Sequence, residues 1–421
     1  MREEFVYYLW QHRLLPQQLV TTQGEYIEVV HPGTRNIDSG PDYFNARLRI
    51  GDTLWAGNVE IHVKTSDWAR HGHSGDKAYD NVILHVVIQD DASPEGAPGH
   101  TLVIGNYVDH DLENKYEQLM ASRGKVPCEP DTAQAGPLAL EAMLSCTLVE
   151  RLQSRYNEIE RLLAETKLSW EEAFYLRMTR SYGLRVNADA MEMLARSLPL
   201  KILGRHRDSL VQLEALLFGQ AGLLNQSFTE TWPRQLQNEY SFLQKKYSLN
   251  PLDSSIWKFA RLRPPSFPTL RIAQFASLIH YSQGLFSRLT SIGTVGDAVA
   301  LLMVPASDYW KNHYRFELIS PPHSSSPGNN SIWLILINTV VPFLFAWGRD
   351  RGDQNASDRA INLLSQVPAE ENSQISFWKS LGIDVPSSFH SQALLELKKN
   401  YCDRRRCLEC QIGHQLIRSK G

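Results

Sequence analysis

An α+β architecture is predicted for this 421-residue chain: a mixed-sheet α/β domain over residues 1–130, an all-helical region over 131–397, and a cysteine-rich metal-binding segment over 398–421. Three observations predict it. The N-terminal third carries short runs with two-residue alternation, separated by turn signals. From Gly136 onward the apolar residues recur at three- and four-residue spacing. Three of the five cysteines fall within nine positions near the C-terminus. The length alone exceeds what one ordinary core supports, so more than one domain is expected.

Composition narrows the class. Hydrophobic content of 43% with 21% charged residues describes a folded chain, not a disordered one. The net charge of −3 excludes a polycation, so any nucleic-acid surface must be a local patch. The N-terminus, MREEFVYYLWQHRLL, mixes acids and aromatics and lacks the features of a signal peptide. With few cysteines and no export signal, a cytoplasmic location is expected. Residues 331–348, SIWLILINTVVPFLFAWG, are apolar but interrupted by Asn338 and Pro342. They read as a buried core helix, and no membrane partner is expected.

Taken in order, residues 2–15 have helical spacing, followed by strands at Tyr26–Val30, Tyr43–Ile50, Leu54–Lys64, Asn81–Gln89 and Thr101–Val108. HPGTRN, IDSGPD, Gly51-Asp52, HSGD and SPEGAPG supply the turns. A helix between Lys64 and Asp80 completes an α-β-β-β-α-β order. Helices follow at Pro137–Glu165, Ser169–Tyr182, Asn187–Ser197 and Asp208–Phe218, with Ser169-Trp-Glu-Glu supplying a cap and first-turn acids. Two proline-punctuated segments, 263–275 and 320–331, interrupt the helical texture, the second reading as a flexible surface loop. There is no solenoid-period repeat and no glycine-rich phosphate loop.

The third strand carries the first chemical signal. In Asn58-Val-Glu-Ile-His-Val-Lys64, alternation turns Val59, Ile61 and Val63 one way and Asn58, Glu60, His62 and Lys64 the other. An acid, an imidazole and an ammonium on one face suit a strand that lines a cleft. Gly40-Pro41-Asp42 starts the preceding strand, and if the two strands pair, Asp42 and Glu60 can share a divalent cation. A neighbouring Lys or His would then position or deprotonate water. The plain alternative is a half-exposed strand with an ordinary cross-strand Glu–Lys pair.

Pro41-Asp42, a spacer and then Glu60 with basic residues beside it, in an α-β-β-β-α-β setting, resemble the PD-(D/E)XK nuclease superfamily. The resemblance implies a Mg²⁺- or Mn²⁺-dependent nuclease with metal at Asp42, Glu60 and an acid of the first helix, where Glu4 is the match. His62 stands where the superfamily has its lysine, and Lys64, two positions on, is the substitute. The next segment, Trp68-Ala-Arg-His71-Gly-His73-Ser-Gly-Asp76, has metal-compatible side chains and either overhangs the same cleft or is a solvated loop. His85, between Leu84 and Val86, reads as a satisfied core histidine. Over nearly its full length the chain also resembles an uncharacterised bacterial family of unknown function, through SGPDYFNARL, GNVEIHVK, DWARHGH, NVILHVV, FGQAGLL, FPTLRIAQFA and CDRRRCLECQIGH.

The terminal cluster is the sharper signal. Cys402-x4-Cys407-x2-Cys410-x3-His414 gathers four soft or borderline ligands, enough for a tetrahedral structural Zn²⁺. Cys128, in a proline-flanked turn, competes with His414 for the fourth position and is favoured, since it would anchor the C-terminus. Four thiolates also suit an Fe–S cluster, which some nucleases of the superfamily build from one early and three late cysteines. Cys146 reads as core. Over Lys398–Gly421 seven basic residues face two acids, a phosphate-contacting surface or a solvated tail, and Arg261, Arg263 and Arg271 form a second candidate patch. The expected function is Mg²⁺-dependent phosphodiester hydrolysis on nucleic acid; the alternative is a non-catalytic nucleic-acid or protein-binding scaffold with a purely structural metal.

Overall fold

The computed structural model describes residues 2–282 and 284–419, so Lys420 of the basic terminal run lies outside the described residues. The chain divides into two compact units, Met1–Met143 with Leu397–Gly421, and Leu144–Glu396.

The first unit is mixed α+β. Helix α1 (Glu3–Gln11) precedes strands β1 (Leu19–Val20), β2 (Tyr26–His31), β3 (Thr34–Arg35), β4 (Tyr43–Ile50) and β5 (Thr53–Lys64). After the short α2 (Asp67–Arg70) come β6 (Val82–Gln89), β7 (Thr101–Val103) and α3 (His110–Ala121). The seven strands form one sheet in the order β1-β2-β4-β5-β6-β7, with β3 on β4. Pairing is antiparallel as far as β5 and parallel from β5 to β7. The turn from one mode to the other falls at Gly57, where an added Cβ would lie 2.5 Å from Ile83 Cγ2 and 2.8 Å from the Asn81 carbonyl. A side chain there would push β6 away.

Parallel pairing tends to bury both faces of a strand, and β5 follows that rule over residues 57–62. Val59 and Ile61 pack on one face, while Glu60 and His62 are 4% and 1% exposed on the other. Helix α1 places Phe5, Val6 and Leu9 in the core, and Phe5 stacks on Tyr116 of α3 at 4.7 Å. Burying each such side chain contributes about 1.5–3 kcal/mol.

The helix expected between Lys64 and Asp80 is only the single turn α2 followed by a 3₁₀ turn at Lys77–Tyr79. Gly72 and Gly75 take φ of +77° and +86°, which ends the helix and leaves the histidines of this stretch on a loop.

The second unit is helical, built from pairs such as Trp170–Tyr182 with Ala188–Ser197, and Leu210–Gln220 with Thr231–Tyr247. Ser169 caps its helix as expected, its hydroxyl accepting from Glu172 N. The region is not all-helical, however. His313–Arg315 and Leu318–Ile319 form a small antiparallel pair, turned by Glu317 at φ +64°, whose carboxylate accepts from Thr229 and Glu230. Segment 320–331 is not a free surface loop either: Ser325 and Ser331 are buried, and the Ser325 carbonyl accepts from Ala306 N and Gln274 Nε2.

Three further expectations are corrected or placed here. Arg271 is 4% exposed within helix Pro268–Ser282, bonded to Gln274 and Ser331, so it belongs to no surface patch. Cys146 is exposed, not core, with its sulfur 3.8 Å from Glu150 Oε1. The apolar stretch lies in helix Asn329–Arg351, long and apolar enough to cross a membrane by composition, with 72% of its apolar window buried inside the protein. A π-turn at Leu336–Val340 ahead of Pro342 accommodates the ring without a straight α-helical register.

Candidate active site

The turn before β4 delivers Asp42. Asn36 holds it together, its side-chain amide donating to the carbonyls of Asp38, Ser39 and Pro41 at 3.1 Å and its backbone N–H to the Asp42 carbonyl at 2.7 Å. Antiparallel pairing of β4 with β5 then sets Asp42 beside Glu60. Asp42 Oδ2 accepts from Ile61 N at 2.9 Å, Asp42 N donates to Glu60 Oε2 at 3.0 Å, and Asp42 Oδ1 accepts from the Tyr7 hydroxyl at 3.0 Å. The same hydroxyl lies 2.7 Å from Glu3 Oε1. The helix acid that reaches the pair is therefore Glu3, while Glu4 points elsewhere and lines a separate cavity. One residue around a helix is a turn of about 100°, which is enough to separate the two.

Four histidines gather on the other side of Glu60. Glu60 Oε1 lies 3.2 Å from His73 Nε2 and 3.4 Å from His62 Nε2. His71 Nδ1 sits 3.1 Å from His62 Nε2, and His62 Nδ1 sits 2.9 Å from His85 Nε2. The ligand atoms of His62, His71 and His73 all lie within 4.8 Å of one another. His71 is exposed, giving the cluster an open side, and Trp68 and Tyr79 pack edge-on and face-on against His73.

His73 Nε2 is buried beside Glu60 with no aligned hydrogen bond, and His85 Nδ1 is buried with no partner. A nitrogen and a carboxylate oxygen side by side without a proton aligned between them have the arrangement of two ligands waiting for a cation. Imidazoles with carboxylates suit Mn²⁺, Fe²⁺ or Zn²⁺ better than Mg²⁺. The donor set thus fits a divalent metal.

Burial and mutual repulsion shape the protonation states. Burial first, then Asp42, pushes the Glu60 carboxyl up to about 8, and burial lifts Asp42 to about 6 against the bonds from Ile61 and Tyr7. Burial and His85 drive His62 down to about 3; burial and His73 drive His85 down to about 4. His62 and His85 are therefore neutral near pH 7, the form in which an imidazole ligates a metal.

These shifts carry opposite signs for stability. A carboxyl raised in the fold contributes stability at low pH that is lost as pH climbs toward 8. Histidines lowered in the fold contribute stability that is lost as pH falls below their ordinary value of about 6.5. Above that point the Glu60 effect is the one that remains within this cluster. Metal-free protein should lose about 2 kcal/mol of stability between roughly pH 6.5 and 8, read by urea unfolding in chelator. Glu60→Gln should flatten that fall, and an unchanged slope in the variant would refute the assignment.

Lys64, on the same strand face as Glu60 by alternation, turns away from the acids. Its side chain is 46% exposed and its ammonium lies 3.9 Å from Asp91 Oδ2, at the end of the strand. Asp76 caps the following turn through Ala78 N. His85, expected to be a satisfied core residue, belongs to the cluster. The parallel register pairs it with Glu60 and so puts it on the same face, a signal available only once β5 and β6 are known to be parallel.

The cysteines gather within the same unit. Cys128, Cys407 and Cys410 are buried and Cys402 is partly exposed. The Cys128 turn is braced by its own carbonyl, which accepts from Thr132 Oγ1 at 2.7 Å. Burial, then Cys128, Cys410 and Cys407, raise the Cys402 thiol, while burial, Cys128 and Cys410 push Cys407 up to about 12. Cys128 and Cys410, near enough to raise the thiols of Cys402 and Cys407, complete with them a set of donors that suits a thiophilic cation. His414 is otherwise engaged. Its Nε2 accepts from Arg418 Nη1 at 3.1 Å, which leaves Nδ1–H to the Tyr8 hydroxyl at 2.9 Å.

No curated protein and no solved structure matches the chain. Residues 3–373 match a family described as "Protein of unknown function (DUF2851)", a span that takes in every residue of the Asp42–Glu60–histidine cluster and stops short of the terminal cysteines. The chain belongs to that family.

Proposed function

We propose that the Asp42–Glu60–histidine cluster is the centre of a metal-dependent phosphodiesterase acting on nucleic acid. The observation that supports this most is the meeting of the two acids, Asp42 N donating to Glu60 Oε2 at 3.0 Å, with His73 Nε2 and His62 Nε2 at 3.2 and 3.4 Å from Glu60 Oε1. A divalent ion bound there would supply Lewis acidity toward a phosphate oxygen and toward water. The chain's own residues do the rest. Glu60 and Asp42 provide the negative charge that holds a cation, and Glu3 with Tyr7 fixes the Asp42 orientation. His62, His71 and His73 can each offer a nitrogen to the same ion, and the exposed His71 marks the open side of the cluster. His62, at the superfamily's lysine position, is locked between His71 and His85, which suits it to holding the array in place.

The cysteines are proposed to bind a structural ion, zinc or an Fe–S cluster, with Cys128 as the fourth ligand. A non-catalytic scaffold is the rival, and it has one observation on its side: Lys64 faces Asp91, not the acids. Labelled DNA and RNA incubated with Mn²⁺, Zn²⁺ or Mg²⁺ decide between them. Metal-dependent cutting, best with Mn²⁺, is expected; no cutting of any strand with any of the three ions favours the scaffold.

A further inference from the structure

Beside the acid pair, and separate from it, the first unit holds a cavity of about 630 Å³. Its walls carry five guanidinium groups, Arg2, Arg35, Arg404, Arg405 and Arg406, against two carboxylates, Glu4 and Glu409. Glu409 is already paired with Arg406. Arg405 is fixed as part of the wall, donating to the carbonyls of Met120 and Ser122 at 2.7 Å. Arg2 and Arg404 are exposed and form no ion pair with a described carboxylate. Guanidinium groups gathered around a concave space without matching carboxylates make it electropositive and draw anions toward it.

The remaining lining has a second character. Tyr8, His12 and His414 stand together, with the rings of His12 and His414 4.6 Å apart and those of Tyr8 and His12 4.9 Å apart. A cavity of this size holds a small organic ligand. Planar forks for an anion next to a wall of flat rings are the features that take a phosphate joined to a sugar and base.

Position ties the cavity to the carboxylates. Helix α1 presents Glu3 and Tyr7 toward Asp42 and, one step around, Glu4, Tyr8, Gln11 and His12 toward the cavity. The Arg35 guanidinium lies 4.5 Å from the centre of the Tyr7 ring, so Tyr7 separates the arginines from the acid pair.

We propose that this cavity binds phosphate groups of a nucleotide strand and so seats the strand next to the metal cluster. The inference rests on the nucleic-acid reading above, but its test does not require cutting. Fluorescence anisotropy of a labelled 5′-phosphorylated oligonucleotide is measured with the full chain in chelator. Arg2→Ala and Arg404→Ala should each weaken binding about tenfold and each lower the slope of log affinity against log salt by about one. Arg404→Lys, which keeps the charge, should restore the slope. Unchanged affinity and slope in both alanine variants, with normal thermal unfolding, overturn the proposal and leave the metal reading intact. Unlabelled strand should displace the probe at far lower concentration than a nucleoside monophosphate or inorganic phosphate. Equal displacement by the mononucleotide would reassign the cavity to a free nucleotide and overturn the strand.

Discussion

Glu60→Gln should abolish metal-dependent cutting, with Asp42→Asn close behind it, while both variants keep the fold. Either change removes one negative charge from the site that is to hold a dication and leaves the shape nearly unaltered. Glu60 takes the larger role because two imidazole nitrogens and the Asp42 backbone N–H converge on its carboxylate. Histidine substitutions rank the remaining groups. His73→Ala and His71→Ala each remove a nitrogen offered to the ion and should each lower metal affinity and activity by roughly 10–100-fold or more. Lys64→Ala should have little effect, since its ammonium faces Asp91. Full activity in Glu60→Gln, or a loss in Lys64→Ala matching that of the histidine variants, would contradict this assignment of roles.

Cys410→Ser should sharply destabilise the first unit. Binding of a structural zinc contributes on the order of 10–16 kcal/mol, so losing one of four thiolates removes on the order of 3 kcal/mol. In a unit of this size that is a fall of about 6–12 °C in the unfolding midpoint. Cys146→Ser, which alters an exposed thiol, serves as the control and should unfold as the parent does. Cys128→Ser should match Cys410→Ser, whereas His414→Ala should not, because both nitrogens of His414 are bonded to Tyr8 and Arg418. Elemental analysis of the parent should find zinc or iron, and metal-free protein with unchanged stability in Cys410→Ser would remove the structural ion from the account.

What was legible in the sequence, and what was not, follows from how far each signal reaches along the chain. The β4 and β5 strands were readable from local alternation, and so was the order of acid and imidazole on β5, because side chains on a strand alternate whatever surrounds them. The terminal cysteines were readable for a similar reason: CxxC spacing is local. His85 was not, since VILHVVI is an apolar run in which a histidine looks like core until a parallel partner fixes the register. The choice between Glu3 and Glu4 is not legible, because a sequence carries the helix period but not its phase. A helix fits the span between Lys64 and Asp80 by spacing, but two glycines at positive φ leave one helical turn and a loop that holds His71 and His73. The arginine cavity combines residues 2, 35 and 404–406, a grouping that no local pattern announces.

The most direct test of the central claim is anomalous diffraction from crystals of the protein soaked with Mn²⁺. A manganese peak bounded by Glu60 and the His62, His71 and His73 nitrogens is expected, and it should be lost in crystals of Glu60→Gln. A map in which the only anomalous density lies at the cysteines, with Glu60 and the histidines bonded solely to one another, would contradict it.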